Sequence, residues 1–284
     1  MCGIIGIIGE TNSKEIKSLL KPVQHRGYKI NEFLIFKKGG LGVNRLPIVD
    51  PIGGKQPVFN EDKTIFAVMN GEIFNYENLK KILMKKGHEF KTNSDTEIIP
   101  HLYEEYGTNF VKHIDSEMYA IIIYDKNKNN WIVARDSLGV KPLYYAKINN
   151  KKYFSSEAKQ LTKIKGCKKI EIFPPGHILT NGKLINLQKI NQKPILNPTK
   201  KVISKLRKLI NESVKKRVPS NLETGVLLSG GIDSSSVLVT ALKYSKKIRA
   251  FIVGTNNSSD KKVAIKLCRR FKVKYDLINP KKPS

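Results

Sequence analysis

The chain has 284 residues, 40% hydrophobic and 27% charged, a globular composition that excludes a disordered or collagen-like polypeptide and predicts about two domains. Lys and Arg number 52 against 24 Asp and Glu, so the net charge is 52 − 24 = +28, which makes polyanion binding the first function to weigh. Only 8 of the 52 cations are Arg, the side chain suited to bidentate phosphate and base recognition, and the lysines are spread along the whole chain. The charge therefore reads as a solvated surface, and a nucleic-acid partner is not expected. Cys2, Cys167 and Cys268 are odd in number, far apart and form no CxxC pair. They argue against a disulfide framework and against a zinc site, so no metal ligands are expected, and they favour a reducing, cytoplasmic setting. No apolar run approaches the ~20 residues of a membrane span. The opening MCGIIGIIGE has no basic n-region and its apolar stretch ends at Glu10, so it reads as a first strand, not a signal peptide.

In chain order, strands are predicted over Gly3–Ile8, Phe33–Phe36, Leu41–Asn44, Thr64–Met69, Met118–Asp125, Trp131–Arg135, Tyr144–Ile148 and Tyr153–Ser155. Helical spacing occurs in Tyr76–Lys86 (Leu79, Ile82, Leu83) and in Asp95–Glu105 (Ile98, Ile99, Leu102, Tyr103). Many strands with few helices imply an α+β or layered-sheet domain over 2–190. The segment 191–201 holds two prolines without periodicity and reads as a linker. A second domain over 202–284 then changes rhythm. Helix Val202–Val218 leads to strand Gly225–Leu228, a helix to about Tyr244, strand Ile248–Val253, helix Lys261–Phe271 and strand Val273–Ile278. This β-α-β-α-β order is the beginning of a parallel α/β sheet, incomplete at Ser284.

Removal of Met1 ahead of a small residue would leave Cys2 with a free α-amine beside its own thiol. Such an amine titrates near 8 and can act as general base without a histidine. Met-Cys-Gly alone is weak evidence and reads more readily as a buried small residue opening a strand. It is followed in order by HRG (His25–Gly27), LGVNRLPIVDP (Leu41–Pro51), GGKQP (Gly53–Pro57), NGEIFNY (Asn70–Tyr76), SDTE (Ser94–Glu97), ARDSLGVKPLYY (Ala134–Tyr145) and SSEAK (Ser155–Lys159). With these seven segments the chain resembles the class II glutamine amidotransferases over residues 2–190. The resemblance implies a four-layer αββα N-terminal-nucleophile glutaminase fold that converts glutamine to glutamate and ammonia without a cofactor.

On that resemblance Cys2 attacks the glutamine amide, while Asn70 and Gly71 supply oxyanion-hole donors. Arg45 takes the substrate α-carboxylate, with Leu46, Ile48 and Val49 lining the same pocket by their backbone. Glu72 and Asp95 hold the α-ammonium. Each residue also has a plain structural reading: Asn70-Gly71 as a turn, Asp95 as a helix N-cap, Arg45 as partner to a surface carboxylate. Two segments depart from the family pattern. Tyr28-Lys29 replace Pro-Asp after HRG, and Asp115-Ser116-Glu117-Met118-Tyr119 replaces Asp-Gly-Met-Phe.

GVLLSGGIDSSSV (Gly225–Val237) places Gly230-Gly231 between a strand and a helix N-terminus that can face phosphate. It lacks the Lys of a GxxxxGK[ST] loop, and alone it could be an ordinary strand–helix connection. It resembles the SGGxDSS loop of the ATP pyrophosphatase domains, which implies phosphate contacts from Ser229, Gly230, Gly231, Asp233 and Ser234, and adenosine contacts from Leu228 and Val253. The two halves together resemble the bacterial-type glutamine-hydrolysing asparagine synthetases. That family implies ATP and Mg2+ as co-substrates, aspartate as acceptor, and transfer of the released ammonia to the adenylated aspartate. Its acidic Ser-Gly-x-Gly-x-Asp-Glu loop does not occur here. The chain is therefore expected to be a fragment, a truncated gene product or part of a split enzyme, with a homodimer or a partner chain completing the sheet. Two alternatives stay open: a stand-alone glutaminase or amidotransferase for another acceptor, and a catalytically idle binding protein that uses the +28 surface.

Overall fold

The computed structural model describes residues 1–187, 199–219, 222–255 and 258–279, with the side chains of 29–31 outside the description. Two compact units divide at 191/192. The first contains β1 (Gly3–Ile8), α1 (Ser13–Leu20), β2 (Lys29–Phe36), β3 (Gly39–Arg45), β4 (Val58–Phe59), β5 (Ile65–Gly71), α2 (Tyr76–Met84), α3 (Ile98–Tyr106), β6 (Tyr119–Asp125), β7 (Asn130–Arg135), β8 (Tyr144–Ile148), β9 (Lys151–Ser155), α4 (Ala158–Leu161), β10 (Glu171–Ile172), β11 (His177–Thr180) and β12 (Lys183–Asn186). Two antiparallel six-stranded sheets result, ordered β10-β8-β9-β1-β3-β2 and β12-β11-β7-β6-β5-β4.

The period-2 alternation of side chains sorts each strand between two cores. Ile4, Leu41 and Val43 of the first sheet meet Val68, Ala120, Ile122 and Val133 of the second in the layer between the sheets. Their alternate neighbours face outward. Ile5 and Ile7 pack on Ile16, Leu19 and Leu20 of α1 and on Leu161 of α4. Met69, Ile121 and Ile123 pack on Leu79, Leu83, Ile98, Ile99 and Leu102 of α2 and α3. The layers thus run helix, sheet, sheet, helix. Because β6 is covered on both faces, all seven of its residues are buried, which explains its unbroken apolar run. A Cβ on Gly6 would lie 2.9 Å from Ile122 Cδ1, so this glycine sets the close approach of the two sheets.

Several elements differ from expectation. Helix α1 was not expected, yet Asn12 caps it by accepting from Glu15 N at 2.9 Å and three apolar residues at i, i+3 and i+4 dock it. The hairpin β11–β12 was also not expected, although its connecting Asn181-Gly182 pair takes positive φ at both positions. The expected helix 95–105 divides into a 3-10 turn, Asp95–Glu97, and α3, because Asp95 is held by the Ile73 N–H just after β5. Strand β2 starts at Lys29, four residues early, by pairing Lys29 with Arg45 across an irregularity in register.

The second unit contains α5 (Lys200–Arg217), β13 (Thr224–Leu227), α6 (Ile232–Ala241), β14 (Ile248–Val253), α7 (Ser259–Arg270) and β15 (Lys274–Ile278). The three strands form a parallel sheet, β13-β14-β15, around a small core of Val226, Leu228, Leu238, Ile248, Ala250, Ile252 and Cys268. Thr199 caps α5, so the C-terminal end of the expected linker is helical; residues 191–198 of that linker lie outside the described residues. Ile203, Leu206, Leu209 and Ile210 of α5 are exposed. Among the described residues no helix is long and apolar enough to cross a membrane.

Candidate active site

Three strand ends and a 3-10 turn converge on one pocket in the first unit. Cys2 lies just before β1, Arg45 at the end of β3, Asn70 and Gly71 at the end of β5, and Asp95 in the 3-10 turn that leads into α3. All of them line the pocket, together with Leu46, Ile48, Val49 and Glu72. The nine first-unit residues proposed from sequence therefore meet in one place.

Cys2 Sγ lies 3.9 Å from Leu46 O, and burial pushes the thiol above its ordinary range. Its backbone is clamped from the other side. Arg26 Nε donates to Cys2 O at 3.0 Å and Arg26 Nη1 to Glu157 Oε1 at 2.9 Å, with His25 at 3.0 Å and Lys159 at 2.9 Å from the same carboxylate. Against the opposing cost of burial, the bonds from Lys159, Arg26 and His25 hold the Glu157 carboxyl down at about 2. The HRG and SSEAK segments thus fix the main chain at Cys2. Burial also lowers the Met1 ammonium, with Arg26 and Lys141 adding to the effect.

Arg45 is 3% exposed, and its Nη2 donates to Val49 O and Asp50 O, both at 2.8 Å. Asp50 in turn accepts from Gly53 N and Asn93 N. The guanidinium therefore shapes the 46–54 loop while keeping its charge at the pocket wall. A Cβ on Gly54 would sit 2.5 Å from Arg45 Nη2, and one on Gly27 2.5 Å from the Arg45 carbonyl carbon. Both glycines are there for close approach.

Asn70 is fully buried, and among the described residues neither its Nδ2 nor its Oδ1 has a hydrogen-bond partner. Leaving such an amide unpaired costs about 1–3 kcal/mol, so an unpaired one facing a pocket has work there. A Cβ at Gly71 would stand 2.4 Å from Met118 O, so only glycine lets β5 run against the altered Asp115–Tyr119 segment. Asp95 Oδ2 accepts from Ile73 N at 2.9 Å, yet burial, and after it the Glu72 charge, push the carboxyl up to about 6.

Sequence reasoning assigned no role to several further pocket residues: Gln56, Ser94, Thr96, Met118 and Lys141. Gln56 Oε1 accepts from Met69 N at 2.8 Å and its Nε2 donates to Thr96 Oγ1 at 3.2 Å, joining β5 to the Asp95 turn. Buried Asp136 accepts from Val140 N and Lys141 N and so presents Lys141, whose amine is depressed by burial and by Arg26. The signal available for them was membership of GGKQP, SDTE and ARDSLGVKPLYY, and for Met118 of the altered Asp115–Tyr119 segment.

In the second unit the loop between β13 and α6 is self-bonded. Ser229 N donates to Ser234 Oγ at 3.2 Å, the two hydroxyls are 2.9 Å apart, and Gly231 N donates to Ser229 Oγ at 3.3 Å. Gly230 has φ +91, and a Cβ there would lie 2.2 Å from Asp260 O. Gly231 and Asp233 are exposed at the first turn of α6. The Leu228 side chain is buried in the unit's core and its N donates to Phe251 O at 2.9 Å; Val253 is exposed at the end of β14.

The layered fold brings a cysteine one residue from the chain start, an unpaired buried amide and a buried carboxylate to one pocket, groups that amide transfer from an amino acid needs. Residues 1–193 match the glutamine amidotransferase domain, and the chain belongs to that family. Residues 205–280 match the asparagine synthase family. The chain is similar to proteins named asparagine synthetase [glutamine-hydrolyzing]: it is 36% identical to one from Zea mays, covering 93% of this chain and 47% of the relative. It is 35% identical to one from Sandersonia aurantiaca, covering 93% and 53%. The chain spans about half the length of the curated relatives it matches. Its fold is that of the solved glutamine phosphoribosylpyrophosphate amidotransferase from B. subtilis complexed with ADP and GMP, at 19% identity and TM-score 0.53, over 97% of this chain and 65% of that one.

Proposed function

We propose that the first unit is a glutaminase with Cys2 as nucleophile, and that with the second unit it serves ATP-dependent amidation of aspartate to asparagine. The buried Asn70 amide, unpaired in both polar atoms and lining the pocket that Cys2 lines, carries the reading. Once Met1 is removed, the Cys2 α-amine accepts the thiol proton and the thiolate attacks the glutamine side-chain carbonyl carbon. Asn70 Nδ2–H and Gly71 N–H hold the oxyanion. As the tetrahedral intermediate collapses, the C–N bond breaks and the amine's proton leaves with ammonia. Water, deprotonated by the same amine, then cleaves the thioester to glutamate and restores the thiol. Arg45, with the backbone of Leu46, Ile48 and Val49, receives the substrate α-carboxylate, while Glu72 and Asp95 receive its α-ammonium.

Ser229, Gly230, Gly231, Asp233 and Ser234 would hold the ATP phosphates, with Leu228 and Val253 at the adenosine and Mg2+ accompanying the nucleotide. The exposed Gly231–Asp233 turn and the crowded Gly230 support that assignment. A cytoplasmic setting belongs to the same proposal, as does a homodimer or partner chain that completes the second unit; the exposed apolar positions of α5 support the latter.

The deciding experiment measures glutamate release from glutamine by the purified chain, with mass spectrometry to establish whether Met1 is absent. Release is expected from the trimmed protein and its loss in Cys2→Ala. Full activity in Cys2→Ala overturns the nucleophile assignment. Asparagine formation from aspartate, ATP and glutamine, once the second unit is completed, separates this acceptor from any other.

A further inference from the structure

Outside the lining of the pocket, side chains from three separate segments meet. Glu61 stands in the turn after β4, His88 in the stretch after α2, and His101 and Glu104 one turn apart on α3. Their potential ligand atoms all lie within 4.8 Å of one another. Three of them form a tight triangle: His88 Nδ1 to Glu61 Oε1 is 3.1 Å, His101 Nδ1 to Glu61 Oε1 is 3.3 Å, and the two Nδ1 atoms are 3.2 Å apart.

Protons satisfy this triangle poorly. If both imidazoles carry a proton on Nδ1, both can donate to Glu61, but two donor nitrogens are then crowded together at 3.2 Å. If only one does, the other nitrogen's lone pair faces the carboxylate's lone pair. A cation at the centre turns all three contacts favourable. The spacing is also that of metal ligands: tetrahedral Zn2+ with bonds of about 2.0–2.1 Å separates neighbouring ligand atoms by about 3.3–3.4 Å.

The surroundings match as well. His88 Nε2, the nitrogen facing away from the triangle, lies 3.3 Å from Glu105 Oε1, and Glu105 is itself paired with Lys86. A carboxylate behind a ligating imidazole fixes its tautomer and raises its basicity. Glu61 Oε1 additionally accepts from Glu89 N at 2.8 Å, Asn60 Nδ2 donates to Glu104 Oε2 at 3.0 Å, and Phe90 packs on the His101 ring at 4.5 Å. His101 is buried while Glu61 and Glu104 are exposed, so the triangle has one dry side and one open to solvent. Among the described residues His101 Nε2 has no hydrogen-bond partner, so only the His88 imidazole has a carboxylate behind it.

We propose that Glu61, His88 and His101 bind a divalent first-row cation, with Zn2+ the best match to two imidazoles and a carboxylate, and with Glu104 or water as fourth ligand. The role is structural. The chain from His88 to His101 carries the Ser94–Glu97 turn, so the metal would pin the segment that presents Asp95 without taking part in the chemistry at Cys2. The inference stands independently of the glutamine reading.

The test titrates the metal-free full-length protein with Zn2+ and, separately, with Co2+. One equivalent of Zn2+ should bind, and Co2+ should give the visible bands of a tetrahedral site without thiolate charge transfer, which separates this site from Cys2 and Cys167. A hundred-fold excess of Zn2+ over Kd should raise the Tm by about 5–10 °C. Affinity should fall at least ~100-fold in Glu61→Gln and His88→Ala and ~10- to 100-fold in Glu105→Gln. Glu61 and Glu105 are exposed, so those two variants report on binding even if His88→Ala folds poorly. No stoichiometric binding, thiolate charge transfer in the Co2+ spectrum, or wild-type affinity in Glu61→Gln overturns the proposal.

Discussion

Asp95→Asn should make the first unit more stable and a poorer binder of glutamine. The Asp95 carboxyl titrates at about 6 in the folded protein against an ordinary 3.8. Between those pH values the folded state keeps a proton that the unfolded chain has released, so stability falls as pH rises, and the full cost is present above pH 6. At 1.36 kcal/mol per unit the 2.2-unit difference is about 3 kcal/mol. Asn keeps an oxygen for Ile73 N–H, loses the repulsion with Glu72 and never ionises. The stability gap between variant and wild type should therefore be near zero below pH 4, open between 4 and 6, and level off at about 3 kcal/mol, or roughly 6–12 °C in Tm. Trp131 is the sole tryptophan and is buried between the two sheets, so its fluorescence during urea unfolding follows this unit alone. The same variant should raise the KM for glutamine ~10- to 100-fold through loss of a charge-assisted bond. A gap that does not change with pH, or a variant less stable than wild type at pH 7, refutes the reasoning.

Asn70→Ala should lower kcat for glutamine hydrolysis ~100- to 1,000-fold with little change in KM, checked by steady-state glutamate release. Glu157→Gln should slow turnover by loosening the Arg26 clamp on Cys2. The Glu157 carboxyl is depressed to about 2, so its contribution to stability is present above its ordinary 4.5 and is lost as pH falls toward 2; acid-unfolding curves of variant and wild type should converge over that window. Gly230→Ala, whose Cβ would strike Asp260 O, should cost the second unit about 1–3 kcal/mol, read as faster hydrogen exchange in β13 and α6.

Much of this was legible from local pattern. The strand over 119–125 announces itself by an uninterrupted apolar run, and α2 by Leu79 and Leu83 one turn apart. The candidate site was legible for a different reason: Cys, Arg, Asn-Gly and Asp are the residue types acyl transfer from an amino acid requires, and they came in a recognisable order. Helix α1 was missed because eight residues with three apolar positions barely show a period. Gln56 and Lys141 were missed because neither stands at a period that marks a site, and one more lysine is unmarked in a chain rich in them; their place at the pocket comes from contacts to residues far along the chain. The triangle of Glu61, His88 and His101 was invisible for the same reason, since its members come from three segments with no zinc-site spacing.

Periodicity and turn chemistry act over a few residues, so the sequence by itself determined the alternation of strands and helices, the break near residue 200 and the chemical kinds of side chain available for catalysis. Only the tertiary structure decided that the ends of β1, β3 and β5 and the Asp95 turn share one pocket. It also decided that the Asn70 amide is left unpaired there, and that burial lifts the Asp95 carboxyl toward neutrality. Desolvation and unmet hydrogen bonds depend on what long-range packing brings around a group, and no local stretch of chain encodes them.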